Sequence, residues 1–212
     1  GIPYHEIAVL YRDNKDAESV ALELSRAGIP YGIESDENIL RDPIILKLVL
    51  LLRAIHTYGD EELLAQVLHL DFLNLTELDI FKLLSFVRRE RRHILPVIAS
   101  KKDLAEAGLA NPDAFFELAL KLGSWHKKAR NANVLQLMEE VVEQSGILQF
   151  CFSRPDVLEL FENIASLFSE AEAQIEAHRL PTLADFIRHL DLLELHAISL
   201  KKKRSGVVHG VR

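Results

Sequence analysis

The sequence predicts a mostly α protein, in which a small β-α-β piece is followed by a long helical region. Three observations predict it. Residues 7–10 read Ile-Ala-Val-Leu, a short apolar run rich in branched side chains, as in a fully buried parallel strand. The polar Asp13-Asn14-Lys15-Asp16 that follows reads as a turn into a helix. Beyond residue 42 the apolar residues keep a helical spacing almost to the end.

In the first helix Ala17, Val20, Ala21 and Leu24 recur at helical spacing, Asn14 or Asp16 caps the start, and Gly28 stands where a left-handed cap is wanted. This helix is expected from about 16 to 27. Pro30 stops it, and Tyr31-Gly32-Ile33 returns as a second strand. Asp42-Pro43 is an N-cap followed by proline at the first helical position, and it opens a helix that is apolar nearly all round and ends before Gly59. Such a helix belongs at the centre. Asp60 caps the next, and Thr76 with Asp79 resembles a capping box for a helix through the late 80s. Its Arg88-Arg89-Glu90-Arg91-Arg92 end sets cations where the helix dipole favours them.

Residues 101–111 lack a sustained apolar stripe and contain Gly108, which marks them as a domain junction. Asn111-Pro112, Asn133, Ser153 and Thr182 each precede an amphipathic run, with Gly146 and Pro181 as punctuation, so about four further helices follow. Lys201-Lys202-Lys203-Arg204-Ser205-Gly206 breaks the pattern, and Val207-Val208 resumes strand chemistry. A first residue of Gly and a last segment that reads as a strand just beginning are expected of a piece excised from a longer chain.

A chain of 212 residues, 49% of them hydrophobic, buries a real core. Its formal net charge of -7 gives no global attraction to phosphate, so any nucleic-acid contact must come from a local basic patch. The single Cys151 excludes an internal disulfide and a thiolate zinc cluster, in keeping with a reducing, cytoplasmic setting. No segment reads as a secretory signal, and the most apolar stretch, residues 44–55, is interrupted by Lys47 and Arg53 and is too short to span a bilayer. No membrane partner is expected.

No phosphate loop, His-Glu-x-x-His, Gly-x-Ser-x-Gly or Cys-x-x-Cys motif occurs. His189 and His196 are seven apart, whereas helical metal ligands three or four apart suit a shared ion, so no metal site is assigned. Asp71, Asp79, Glu139 and Glu140 read as solvated or capping carboxylates. What remains is Tyr11-Arg12 at the end of the first strand, where open α/β domains meet their ligands. Tyr offers a flat face for a base, and Arg a fixed fork of donors for phosphate. The alternative is a Tyr packed on the next helix and an Arg paired with Asp13 or Asp16.

Residues 7–12, the polar turn, the helix and then Gly28-Ile29-Pro30-Tyr31 resemble, in order, the start of the second RecA-like motor domain of UvrD/Rep/PcrA-like superfamily 1 DNA helicases, where helicase motif IV lies. The resemblance is specific over about residues 1 to 60 and architectural afterwards. It implies an internal fragment of an ATP-dependent DNA helicase, with Tyr11 stacking on adenine and Arg12 reaching the γ-phosphate as a catalytic contact. ATP and Mg would be held mainly by a first RecA-like domain lying outside this chain, and DNA, single-stranded and at duplex junctions, would be the partner. Residues 1–100 would then be the first part of the second motor domain (2A-like), residues 101–205 a helical insertion (2B-like), and residues 206–212 the return strand. The helicase subunit of an AddA/RecB-type helicase-nuclease is a sister reading, and a noncatalytic helical interaction domain is the rival from another class.

Lys201, Lys202, Lys203 and Arg204 are candidates for gripping DNA phosphates, against the alternative of a solvated linker. The cluster at residues 88–92 has a helix-end explanation as well. Trp125 and the ten Phe lie mostly in apolar helical runs, where a core role outweighs base stacking.

Overall fold

Side chains placed directly before the first helical residue set most of the helix beginnings among the described residues. Asp42 accepts from the N–H groups of Ile44 and Ile45 and opens α2 (Pro43–His56), with Pro43 in the first turn. Asp60 does the same for α3 (Glu61–Leu68) through Leu63, and Thr76 for α4 (Glu77–Arg89) through Asp79. Asn111 opens α7 (Pro112–Ala129), Asn133 opens α8 (Val134–Gln144), and Thr182 forms a capping box with Asp185 at α11 (Leu183–Leu195). Each cap satisfies an N–H that a helix leaves without an internal partner.

These helices belong to a computed structural model that describes residues 3–4, 7–10, 14–31, 38–176 and 182–202. The first helix, α1 (Asn14–Arg26), ends as expected at Gly28, whose φ of 66° lets the N–H of Ile29 reach the carbonyl of Leu24 at 2.9 Å. Between α4 and α7 lie α5 (Ile94–Ile98) and α6 (Lys101–Ala107), and between α8 and α11 lie α9 (Ile147–Phe152) and α10 (Val157–Glu176).

The described residues are mostly helical and contain no strand. Residues 7–10, expected as a fully buried strand, carry none. Leu10 is 95% exposed, and Ile7 and Val9 are exposed too. A strand exists by pairing its N–H and C=O groups with neighbours, and no described segment supplies them here. Tyr31 is described, but Gly32 and Ile33 of the expected second strand and residues 206–212 of the expected return strand lie outside the described residues.

The core spans the expected junction near residue 101. One hydrophobic cluster runs from Ile39 to Leu200, and it contains Leu48, Leu52 and Ile55 of α2 together with Phe115 and Trp125 of α7, Leu167 of α10 and Phe186 of α11. The central helix α2, as its all-round apolarity predicted, packs against α3, α7, α10 and α11. Residues 101–107 are a helix whose Leu104 and Asp103 are buried, capped by Ser100 and closed by Gly108 at φ 70°. The segment looks weakly apolar because seven residues need only one or two inward positions to dock. No described side chain of α1 belongs to the cluster.

Smaller expectations are corrected as well. Ser153 ends α9, its hydroxyl donating to the carbonyl of Phe150, and the amphipathic run it precedes begins four residues on as α10; among the described residues five helices, α7 to α11, follow residue 111 rather than about four. Asp79 is buried rather than solvated. It gives no reciprocal capping bond; its two oxygens accept the N–H groups of Ala110 and Asn111 at 2.8 and 3.0 Å.

Candidate functional site

The place where the chain enters and leaves the helical body is built from Asn38 and residues 200–202. Asn38 pairs with Lys201 in an antiparallel bridge. The N–H of Ile39 donates to the carbonyl of Leu200 at 2.9 Å, and the Asn38 Oδ1 accepts from the N–H groups of Leu200 at 3.0 Å and Leu40 at 3.1 Å. Ile39 and Leu200 are both buried, so apolar packing backs the polar contacts. Close by in sequence, Asp42 uses its second oxygen to accept from Asn163 Nδ2 at 2.9 Å, which joins the start of α2 to α10.

Lys202 turns onto the same helix. Its Nζ lies 2.9 Å from Glu162 Oε2 and 3.9 Å from Glu159 Oε1, and its side chain is only 15% exposed. A DNA phosphate at Lys202 would therefore compete with two carboxylates already in place. Lys201 is exposed and has an interaction of its own. Lys203 and Arg204, like Tyr11 and Arg12, lie outside the described residues.

Other candidates resolve into structure. Among the described residues no three His, Cys, Asp or Glu side chains converge as a metal set. His189 joins α11 to α10, with Nε2 2.7 Å from Glu170 Oε1 and 3.4 Å from Gln174 Nε2, while His196 is the exposed cap residue of α11. Glu140 pairs with Lys128, and Asp71 with Lys47 at 2.6 Å. Trp125 is fully buried, its indole N–H donating to Gln144. Burial pushes the Cys151 thiol above its ordinary value, which leaves it un-ionised and unreactive. An open depression of about 540 Å³ beside α7 and α8 is lined by Lys127, Lys128, Asn131, Ala132, Gln136 and Glu140, with no converging catalytic pair.

The residues 88–92 cluster takes a definite shape. Arg91 sits in the left-handed region at φ 52°, the N–H of Arg92 reaches back to the carbonyl of Val87 at 3.0 Å, and Arg92 Nη1 then binds Asp103 Oδ1 at 2.6 Å. This salt bridge holds the end of α4 against the first turn of α6. The Arg92 hydrogen bond, against the opposing effect of burial, keeps the Asp103 carboxyl below its usual pKa.

No protein-family model and no curated protein matches this chain. Sequence reasoning missed Asn38, Glu162 and the second role of Asp79, because each acts on residues far along the chain. The one local signal was the polar Asn38 directly before an apolar run.

Proposed function

We propose that this chain is part of an ATP-dependent DNA helicase of the UvrD/Rep type, one that couples ATP hydrolysis to movement along single-stranded DNA and to duplex unwinding in repair or recombination. The bridge between Asn38 and Lys201 carries the reading. An insertion must give the chain back to the domain it interrupts close to where it left. Residues 38–202 leave and return side by side, and the motif that resembles the start of a motor domain stands just before them. In this reading the insertion begins at about residue 38 rather than 101, and the hydrophobic cluster that runs from Ile39 to Leu200 supports that choice.

In that reading Tyr11 stacks on adenine and Arg12 contacts the γ-phosphate of ATP held with Mg by a first RecA-like domain of the same cytoplasmic enzyme. A guanidinium is charged at every working pH and offers the planar fork that transferring phosphoryl oxygens need. The 212 residues contain no phosphate loop, so alone they hydrolyse no ATP. An AddA/RecB-type helicase-nuclease uses the same parts and stays within the proposal.

The rival reading, a noncatalytic helical interaction domain, draws on one observation: the core that runs from Ile39 to Leu200 includes no described side chain of α1. The two readings separate on Arg12→Ala in the full-length protein. The helicase reading expects DNA-stimulated ATP turnover that falls roughly ten- to a thousandfold in the variant. Unchanged turnover, or none in the wild type, overturns it.

A further inference from the structure

We propose that the corner where α4 meets α6 binds the phosphate backbone of nucleic acid, through Arg88, Arg91 and Lys101 with Arg89 and Lys102 beside them. The choice of nucleic acid among polyanions rests on the helicase reading; the site itself rests on the following geometry.

Residues 88–102 hold six Lys and Arg against a single Glu, in a chain whose net charge is -7. The Arg92–Asp103 salt bridge gathers both ends of that segment into one corner. Some of the charge is answered locally: Arg89 pairs with Glu90 at 2.8 Å, and Lys102 lies 3.8 Å from Glu106. Arg88 and Arg91 are exposed and have no ion-pair or hydrogen-bond partner for their side chains among the described residues. Lys101 Nζ lies over the Phe116 ring, 5.0 Å from its centroid, with no carboxylate in reach.

Helix stability explains only some of these positions. Cations in the last turn of α4 suit the dipole, but Lys101 and Lys102 stand in the first turn of α6, the end that favours anions. Arg91 holds a left-handed conformation that is strained for a residue with a side chain and that glycine adopts without strain. Ala197 ends α11 in the same way at φ 52°, so the conformation alone assigns nothing. Its combination with an unanswered charge does.

The chemistry of the corner favours a phosphate-bearing ligand. Guanidinium forks match phosphate oxygens two at a time. None of the exposed large apolar side chains falls between residues 88 and 102, whereas a membrane surface or an amphipathic peptide would need them. Sequence-independent binding with a steep salt dependence follows.

The test measures fluorescence anisotropy of a labelled DNA duplex and of a labelled single strand with the 212-residue chain, across a salt series. Arg91→Gly keeps the turn and removes one charge; the triple variant Arg88→Gln, Arg91→Gly, Lys101→Gln removes three. The triple variant is expected to bind about tenfold more weakly at low salt, and its log K against log salt slope to flatten by two to three, near 0.9 for each lost phosphate contact. Its melting temperature should stay within a few degrees of wild type, while Lys127→Gln on α7 should leave affinity unchanged. Equal slopes for wild type and triple variant, no binding by the wild type, or polyglutamate or anionic vesicles competing as well as DNA would each overturn the proposal. The readout is DNA affinity, so it fails separately from the helicase reading, which is decided by ATP turnover at Arg12.

Discussion

Asn38 and Leu200, 162 residues apart, are held together by a side-chain oxygen and a backbone N–H at 3.0 Å, beside the bond from Ile39 back to the Leu200 carbonyl. Asn38→Ala removes the acceptor for both Leu200 and Leu40. We expect a loss of about 1–2 kcal/mol, since two partly buried N–H groups lose their partner. Hydrogen exchange should report it locally, with the Leu200 amide opening earlier than those of α2. Unchanged protection at Leu200 would show that the packing of Ile39 alone holds the crossing.

Asp79 is the buried link between α4 and the turn into α7. Asp79→Ala should cost about 1–3 kcal/mol by orphaning the N–H groups of Ala110 and Asn111, read as a fall in the denaturant midpoint. Burial alone would raise its pKa, but those two N–H groups, Lys82 and Thr76 outweigh it and hold it below 3.8. A depressed folded-state value stabilises the protein above the unfolded pKa and stops doing so as pH falls through the folded one. The contribution of Asp79 should thus be intact at pH 7, and stability should decline as the medium is acidified below about 4, less steeply in Asp79→Asn. Parallel acid profiles for the two proteins would remove Asp79 from the account.

Gly146 has φ 94°, and a Cβ there would meet the backbone oxygen of Phe72 at 2.5 Å. Gly146→Ala combines a forbidden backbone region with a contact that no rotamer relieves. We expect a loss above about 2 kcal/mol and a matching drop in Tm. A Tm within a degree or two of wild type would mean that the turn before α9 can shift away.

The residue 101 crossing should resist proteolysis. Lys101 and Lys102 offer trypsin two exposed side chains, but cleavage needs α6 to unwind, and Asp103 and Leu104 anchor it in the core. Limited trypsin digestion should leave a protected body spanning about 38–202, identified by mass. Early cleavage after Lys101 or Lys102 would restore the two-body organisation.

In the full-length protein Arg12→Lys should recover little of the turnover lost in Arg12→Ala, because an ammonium group cannot give two parallel hydrogen bonds to phosphate oxygens. Near-complete rescue by Lys would reduce the role of Arg12 to its charge.

The sequence by itself determined the elements whose cause is local. Asp42, Asp60, Thr76, Asn111, Asn133 and Thr182 each open a helix by accepting an N–H two or three residues on, and Gly28 ends α1 through its own φ; such causes sit within one turn and are legible in order. Tyr11, Arg12, Lys203 and Arg204 were singled out the same way, from residue type and neighbours, and lie outside the described residues. Only the tertiary structure decided that Asn38 meets Leu200, that Asp79 serves the turn before α7, that Lys202 is taken by Glu162, and that the helices on both sides of residue 101 share one core. Apolar burial has no direction, so an amphipathic stripe states that a helix must dock without naming its partner. A strand is less legible still, because residues 7–10 take that form only when another segment completes their hydrogen bonds.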